Sequence, residues 1–323
     1  MDYRRIIADS WHYTQQNKKL IRWFGFFPAI FTTTVGIGYL FYQFYAFKSS
    51  ALFSEHEESF LFDVVSFIWQ FVKDHLTLTL PLVIFAAIFA ITYFLFPTLA
   101  KAGAIQMIAR NRSGQKAGVS DGVRYGIMSY LKLFEYHLLI KTFSFFSILT
   151  EISFVIRNLS LDIFKFLFPV FLIFMSISLI LTLLFTYSDF YIVVDDLGVF
   201  ESMKKSAKQV IMNWKHTFLI TLLMILIGIR IVLQVIMVFL IPLLITLITG
   251  YILTVGTALT GIIVGGVVGF FMLFIAAYLN GVVDIFSYAV WTFTFIEITS
   301  QGEVSARGEV IEEAHSAHKN LGE

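Results

Sequence analysis

The stretch that decides the fold is LTLTLPLVIFAAIFAITYFLFPTL, residues 76–99, which contains no charged side chain. As an α-helix, a segment of this length would measure about 36 Å, which is enough to cross the ~30 Å hydrocarbon core of a membrane. Lipid offers no hydrogen bonds to exposed peptide groups, so such a segment must pair its own backbone groups as a helix. We therefore expect an all-α integral membrane protein.

The composition of the whole chain supports this class. Of its 323 residues, 58% are hydrophobic and only 14% are charged, and the mean hydropathy is +0.81. Soluble domains carry about 25% charged residues, so these values exclude a soluble enzyme and a disordered regulator. The chain has no cysteine, which excludes disulfides and thiolate metal sites, and its net charge of +1 gives no basis for binding nucleic acid.

Further apolar runs predict a six-span helical bundle decorated by amphipathic helices. The last apolar stretch, residues 217–298, is 82 residues long and carries only three formal charges. It is predicted to contain two of the six spans. Between these two, residues 240–262 form either a re-entrant piece or part of a continuous helix. The predicted spans cover about residues 23–47, 76–99, 130–156, 166–187, 217–241 and 262–298. Residues 1–22 are predicted to be an amphipathic cytoplasmic segment, and residues 299–323 a flexible cytoplasmic tail.

The positions of lysine and arginine predict the orientation. With six spans and an inner N-terminus, 17 of the 23 basic residues lie on the inner side, four on the outer side and two within spans. Basic residues concentrate in the cytoplasmic loops of membrane proteins. We expect a multi-pass protein of the cell membrane, the inner membrane of a bacterium, with both termini in the cytoplasm.

The connection between spans four and five is predicted to be an amphipathic helix. Three basic residues fall on one face: Lys204, Lys205 and Lys208. Apolar residues, among them Met203 and Trp214, fall on another face. A helix of this kind lies in the layer of lipid headgroups. Residues 120–130 show a related pattern on the same side, and residues 60–71 form an apolar stripe on the outer side.

A weak internal repeat relates two of these helices. When the sequence is aligned with itself at a shift of 80 residues, five pairs match in charge, size, hydrophobicity or aromaticity. Asp121, Val123, Arg124, Gly126 and Phe134 align in this order with Glu201, Met203, Lys204, Ser206 and Trp214. The N-terminal segment 2–23 is a weaker third copy. The predicted unit is an inner amphipathic helix followed by a transmembrane hairpin, repeated three times. The alternative is coincidence, because amphipathic helices resemble one another in composition.

The sequence SDFYIVVDDLGVFESMKKSAK, residues 188–208, followed by Asn213 and Trp214, resembles a family of bacterial membrane proteins. This family is related to the membrane domain of glycerophosphoryl diester phosphodiesterases. In it a span ends in an aspartate–glycine turn, an amphipathic helix follows, and a tryptophan opens the next span. The resemblance implies the same six-span layout. It does not imply hydrolysis, because the family's catalytic activity belongs to a separate soluble domain.

Two opposite charges within the spans form the main candidate site. Counted at 1.5 Å per residue from the inner face, Arg230 and Asp284 both lie about 21 Å deep. An unpaired charge near the bilayer centre costs at least ~2.5–3.5 kcal/mol, so these residues are predicted to pair. Gln234 and Asn280 lie one helical turn away. The pair is either a structural link between two spans or a gate or substrate site.

Other patterns have weaker functional content. Thr257, Gly261, Gly265 and Gly269 repeat every four residues and predict a close helix contact, within the bundle or between copies of the chain. Glu135, His137 and Lys141 in the third span are predicted to reach the inner headgroups, with a proton relay through His137 as the alternative. The histidines near acidic residues, His56 and His315 with His318, lack a diagnostic metal spacing.

No catalytic constellation, metal site or cofactor motif is predicted. We therefore expect a non-catalytic protein, a scaffold or accessory subunit that organises membrane lipids or partner proteins, alone or as a homo-oligomer. The alternative is a transporter or channel for a small solute or lipid. An intramembrane enzyme is the third and weakest hypothesis.

Overall fold

The computed structural model describes residues 2–48, 66, 69–70, 72–141, 144–158, 161–229 and 258–320. The described residues form helices and contain no strand, which confirms the predicted all-α class. In chain order the helices are α1 (Tyr3–Gln16), α2 (Phe27–Lys48), α3 (Leu76–Arg112), α4 (Val119–Lys141), α5 (Phe145–Asn158), α6 (Leu161–Leu184), α7 (Ser188–Val193), α8 (Val199–Met212), α9 (Trp214–Ile229) and α10 (Ala258–Asn320). A short helix, Lys18–Leu20, and a π-helical turn, Ile21–Phe26, join α1 to α2.

Within the described part of the chain, four helical stretches are long and apolar enough to cross a membrane. They are Lys18–Tyr39, Thr79–Arg112, Ile163–Leu184 and Gly269–Ser300. Helices α8 and α9 meet at a 97° bend and form a fifth candidate if the pair counts as one span. These stretches overlap predicted spans one, two, four, six and five in that order. The chain therefore has the helices of a membrane protein, with four or five candidate spans.

The third predicted span, 130–156, is divided between two helices. Helix α4 ends at Lys141 and α5 begins at Phe145, and neither helix has the length and apolar character of a span. Charged residues spread along α4 lower its hydropathy, and the apolar part of α5, Ser147–Ile156, is much shorter than the ~20 residues that a span needs. Helix α5 instead folds back along α6.

Buried side chains concentrate at one end of the bundle, which we call the base. The base comprises α1, the π-helical turn, residues 100–112, residues 119–136, α7, α8 and residues 281–298. Its most deeply buried aliphatic side chains come from four different helices: Ile105, Ile108, Leu133, Ile192 and Ile285. Each such side chain contributes about 1.5–3 kcal/mol when it is removed from water. The base therefore has the packing of a water-soluble domain core.

The membrane half consists of residues 79–99, 163–184 and 269–280, and its large apolar side chains point outward. In the most apolar windows of α3 and α6, only 6% of the residues are buried within the protein. Phe85, Ile88 and Phe94 on α3 are typical of this exposed apolar surface. A surface of this kind is stable against lipid or another apolar partner and not against water.

Glycines allow two close helix contacts around the base. A Cβ atom at Gly25 would overlap the carbonyl oxygen of Gly281, and a Cβ atom at Gly281 would overlap the backbone of Phe26. On the other side of the base, a Cβ atom at Gly103 would lie 2.5 Å from the carbonyl oxygen of Gly122. Backbones can approach this closely only where no side chain intervenes. The α10–π-turn and α3–α4 contacts therefore depend on these residues.

The structure describes most of the predicted tail, but not residues 240–257 or most of residues 60–71. Helix α10 continues to Asn320, so most of the segment predicted as a flexible tail is helical in the structure. Residues 240–257, for which the sequence left a re-entrant piece or a continuous helix open, lie outside the described residues. Most of the predicted outer amphipathic stripe, 60–71, also lies outside them.

Candidate functional site

The base contains a cluster of charged side chains from three helices. Lys101 on α3 donates a charge-assisted hydrogen bond to one carboxylate oxygen of Asp189 on α7. The Nε2 atom of His137 on α4 lies 3.2 Å from the other carboxylate oxygen. The side chains of Lys101, Asp189 and His137 are 23%, 14% and 25% exposed, so the cluster is largely withdrawn from water. A charge in such a place is stable only when it is paired.

Neighbouring helices hold α7 and thereby position Asp189. The side-chain amide of Gln106 donates to the carbonyl of Val193 at the end of α7. The hydroxyl of Tyr136 donates to the carbonyl of Phe185, just before α7, at 3.0 Å. A helix as short as α7 leaves most of its terminal peptide groups without internal partners, so its neighbours supply them. The carboxylate is therefore presented by a fixed backbone.

The charge state of Asp189 follows from its neighbours. Burial alone would raise the pKa of the Asp189 carboxyl. The charges of Lys101 and His137, together with their hydrogen bonds, outweigh burial and hold the pKa of Asp189 well below its ordinary range. Asp189 is consequently ionised at neutral pH, and its ionised form stabilises the folded base.

Polar residues of α10 extend the cluster toward the membrane half. The Lys101 ammonium lies 5.9 Å from the centroid of the Tyr288 ring and interacts electrostatically with the carboxylate of Asp284. Asn280 lies one further turn along the same face of α10, because residues four apart are neighbours on a helix. Its amide donates to the hydroxyl of Thr33 on α2 at 2.9 Å. A line of polar side chains thus runs from α2 along α10 to Lys101.

The predicted intramembrane site is described only in part. Arg230 and Gln234 lie outside the described residues, so their pairing stays a prediction. Within the described part of the chain, the charged group that acts on Asp284 belongs to Lys101 on α3. Asn280, predicted to accompany the pair, contacts α2. The structure therefore links Asp284 to the base as well as to its own span.

The predicted glycine stripe can be compared with the contacts that the structure contains. No described residue lies within 4 Å of a Cβ atom built at Gly269. Gly261 and Gly265 lie in α10, in a part whose side-chain environment is outside the described set. The close approaches involve Gly25 with Gly281, and Gly103 with Gly122 and Gly126, which are four residues apart on α4. The sequence analysis did not single out these glycines.

Helix α8, the predicted interfacial helix, has three faces instead of two. The buried face contains Val199, Ser202, Ser206 and Val210. About 100° around the axis, Phe200 and Ile211 are 72% and 65% exposed. The charged residues lie farther round, on exposed positions: Glu201, Lys204, Lys205 and Lys208. Trp214, 57% exposed, begins α9 directly after the bend. Val199 and Val210 belong to the predicted apolar face, whereas the amphipathic pattern did not identify Ser202 and Ser206 as buried.

Metal-ligating residues do not gather in the described part of the chain. No group of three or more histidine, aspartate or glutamate side chains suited to a metal ion occurs there. His56 lies outside the described residues, and nothing is described of the side chains of His315 and His318. The chain has no cysteine to contribute a thiolate.

The charge cluster is the feature that sequence reasoning missed. Lys101 resembled a boundary charge in an inner loop, and Asp189 resembled part of a turn after a span. The two residues are 88 positions apart, so no local pattern connects them. His137 was predicted to reach the headgroups, yet its ring faces Asp189 in the base. The usable signal was that Asp189 interrupts an apolar sequence, because an apolar run, Phe190 to Val194, follows it directly.

Comparison with models of protein families, with curated proteins and with solved structures found no match to this chain.

Proposed function

We propose that the protein is a non-catalytic membrane scaffold or accessory subunit that organises lipids or partner proteins. The observation that carries this proposal is the three-faced form of α8. One face packs on the base, one exposes Phe200 and Ile211, and one exposes lysines. A helix with these faces fits the boundary between protein, acyl chains and headgroups. The charge cluster is then a structural link that fixes α7 and the start of α8.

Two other helices of the base support the same design. Helices α1 and α8 are both 14 residues long, and an asparagine follows each, Asn17 and Asn213. Their central buried serines, Ser10 and Ser206, occupy the same position in each helix. Helix α4 begins 80 residues before α8, and its exposed apolar face includes Leu131. We propose that these helices open three copies of a helix-plus-hairpin unit.

The proposal also includes the number of spans, their orientation and the family of the chain. Three such units correspond to six spans, with the base and both termini in the cytoplasm of a bacterium. Lys204, Lys205 and Lys208 on α8 are consistent with that orientation, because basic residues favour the cytoplasmic leaflet. Membership of the phosphodiesterase-related membrane family rests on residues 188–208 and is part of the proposal.

Native mass spectrometry of the full chain, extracted gently from its own membrane, tests the proposal. We expect a stoichiometric second protein, retained lipid, or both. A double variant with Phe200→Ser and Ile211→Ser should lose them, because it removes the exposed apolar face of α8 and leaves the buried face intact. The matched control is Glu201→Gln on the charged face, which should retain them. A wild-type chain that carries neither partner nor lipid would contradict the proposal.

A second candidate function is transport of a small solute or lipid. The specific observation in its favour is the polar line Asn280, Asp284 and Lys101, which connects the membrane half with the base. Ionisable residues at membrane depth often mark the path of an ion or a proton. In this reading Asp284 carries the transported or coupling charge.

Proteoliposomes containing a trapped pH-sensitive dye separate the two functions. With an imposed membrane potential, a transporter coupled to protons should acidify or alkalinise the lumen, and Asp284→Asn should abolish this flux while the protein stays folded. If Asp284 is structural, the variant lowers expression instead, and wild-type flux equals that of protein-free vesicles. The latter result would favour the scaffold.

A further inference from the structure

A cleft of about 600 Å³ lies between the first turns of α1 and the side of α9. It is lined by Asp2, Tyr3, Arg4, Ile7 and Leu223. Most of its lining is apolar, and charged groups stand at its rim. Its volume is in the range of small-molecule binding pockets.

The cleft extends from headgroup level into the apolar layer. Trp214, at the start of α9, has the exposure typical of an aromatic residue at the membrane interface. Leu223 follows nine residues later, so it lies about 13 Å deeper along the helix. The hydroxyl of Tyr3 contacts Nδ1 of His216, which fixes the start of α1 beside the first turn of α9. The rim of the cleft is therefore level with the phosphates of one leaflet.

Two cations at this level lack a partner in the described part of the chain. Arg4 is exposed and forms no ion pair with a described residue. Lys215, directly before His216, is exposed in the same way. The acidic residue of the lining, Asp2, is engaged as the cap of α1, where its carboxylate accepts the backbone N–H of Arg5 at 3.1 Å. Asp2 keeps its negative charge as a cap, so Arg4 together with Lys215, the neighbour of His216, leaves a net charge of +1 at the mouth of the apolar slot.

We propose that this cleft binds one anionic phospholipid. Its phosphate lies at the rim beside Arg4 and Lys215, and one acyl chain follows Ile7 and Leu223. A net negative headgroup is favoured over a zwitterionic one, because Arg4 and Lys215 outnumber the single carboxylate of Asp2 at the mouth of the cleft. The inference rests on the proposed lipid-organising function and names the lipid class that this function uses.

Thermal unfolding of the full chain in detergent, followed by tryptophan fluorescence, tests the inference. Phosphatidylglycerol should raise the Tm in a saturable manner, and phosphatidylcholine or inorganic phosphate should not. Arg4→Gln and Lys215→Gln should each weaken the apparent affinity for phosphatidylglycerol roughly fivefold, and the double variant more than tenfold. Leu223→Trp should block the apolar slot and abolish the shift. The matched control, Lys18→Gln with Lys116→Gln, removes two exposed charges that do not line the cleft and should keep wild-type affinity.

Each contrary result has a distinct meaning. Equal stabilisation by phosphatidylcholine, or competition by inorganic phosphate alone, overturns a site for an anionic lipid. If the control variant loses the affinity and the Arg4 and Lys215 variants keep it, the cleft is the wrong site, while the lipid-organising function stands. If native mass spectrometry finds neither lipid nor partner on the wild-type chain, the proposed function fails as well.

Discussion

The base and the membrane half of this protein differ in what surrounds their apolar side chains. In the base, Ile105 and Ile108 of α3 are fully buried among other helices. One stretch earlier on the same helix, Phe85 and Ile88 point outward with more than half of their surface exposed. A single helix therefore passes from a stretch whose apolar side chains the protein leaves exposed to one whose apolar side chains the protein encloses.

This difference separates two sources of stability. The base has close glycine contacts, a buried charge cluster and interlocking aliphatic residues, so its geometry is specified by the chain itself. The membrane half has the apolar character that the bilayer requires and little internal packing among its described residues. Changes in the base should therefore alter folding strongly, and equivalent changes in the membrane half should be tolerated.

The largest expected effect comes from filling the contact between α10 and the π-helical turn. Gly281→Leu places a side chain where the backbone of Phe26 lies, and no side-chain rotation can relieve the overlap. We expect a loss of at least ~3 kcal/mol, measured as a fall in Tm and loss of the monodisperse peak in size-exclusion chromatography. Gly269→Leu is the control, since a Cβ atom built at Gly269 has no described atom of another element within 4 Å. Equal losses of stability in the two variants would show that the close contact between α10 and the π-helical turn does not stabilise the fold.

The next effect concerns the charge cluster. Asp189→Asn leaves the Lys101 ammonium in the base without its anionic acceptor, which should destabilise the protein by about 3 kcal/mol in thermal or chemical unfolding. The matched control is Asp196→Asn. Its carboxylate is 80% exposed and pairs with Lys132 at 2.7 Å, so the loss should be at most about 1 kcal/mol. A loss at Asp189 no larger than at Asp196 would show that the cluster is not effectively buried.

Acid should weaken the base through the same residue. The pKa of Asp189 is lower in the folded protein than its ordinary value, so the unfolded chain binds a proton there first as the pH falls. The contribution of Asp189 is therefore complete above an ordinary carboxyl pKa of about 4, and it is lost progressively below that value. We expect Tm measured from about pH 7 to about pH 3 to fall less steeply in Asp189→Asn than in the wild type. Parallel curves would contradict this assignment.

The smallest effect is expected in the membrane half. Ile88→Ala shortens a side chain that is 59% exposed and should cost about 0.5 kcal/mol or less in detergent. The same truncation in the base, Ile285→Ala, removes a fully buried side chain and should cost about 2–5 kcal/mol. Thermal unfolding of both variants measures the ratio directly. Similar losses would mean that residue 88 is covered in the native assembly, for example by a partner.

The sequence predicted those parts of the fold that lipid imposes. Long uncharged runs such as residues 76–99 identify helices by length and composition, and the amphipathic pattern that includes Lys204, Lys205 and Lys208 identifies α8. The charges within 130–156 were the signal against one continuous third span, because the helix that holds His137 packs in the base. Apolar content alone could not distinguish a helix that faces lipid from one that faces protein.

The site was harder to predict because its members meet only through tertiary packing. Counting residues from the inner face predicted that Asp284 pairs with Arg230, which stays a prediction because Arg230 lies outside the described residues. The same count gave no sign of Lys101 on α3, whose charge acts on Asp284 in the structure. Depth along a sequence does not record how far a helix continues beyond the membrane.

The packing of α1 against α10 has a consequence for synthesis in the cell. Ile6 and Ile285 belong to the same buried cluster, yet about 280 residues separate them. At ~5–20 residues per second, the ribosome needs on the order of tens of seconds to make the later partner after the earlier one. During that interval α1 lacks the α10 residues against which it packs, so Ile6 is without its buried partners. The nascent chain therefore completes the packing of α1 late, only after α10 has been made. Chaperones that bind nascent proteins would encounter α1 before it is packed.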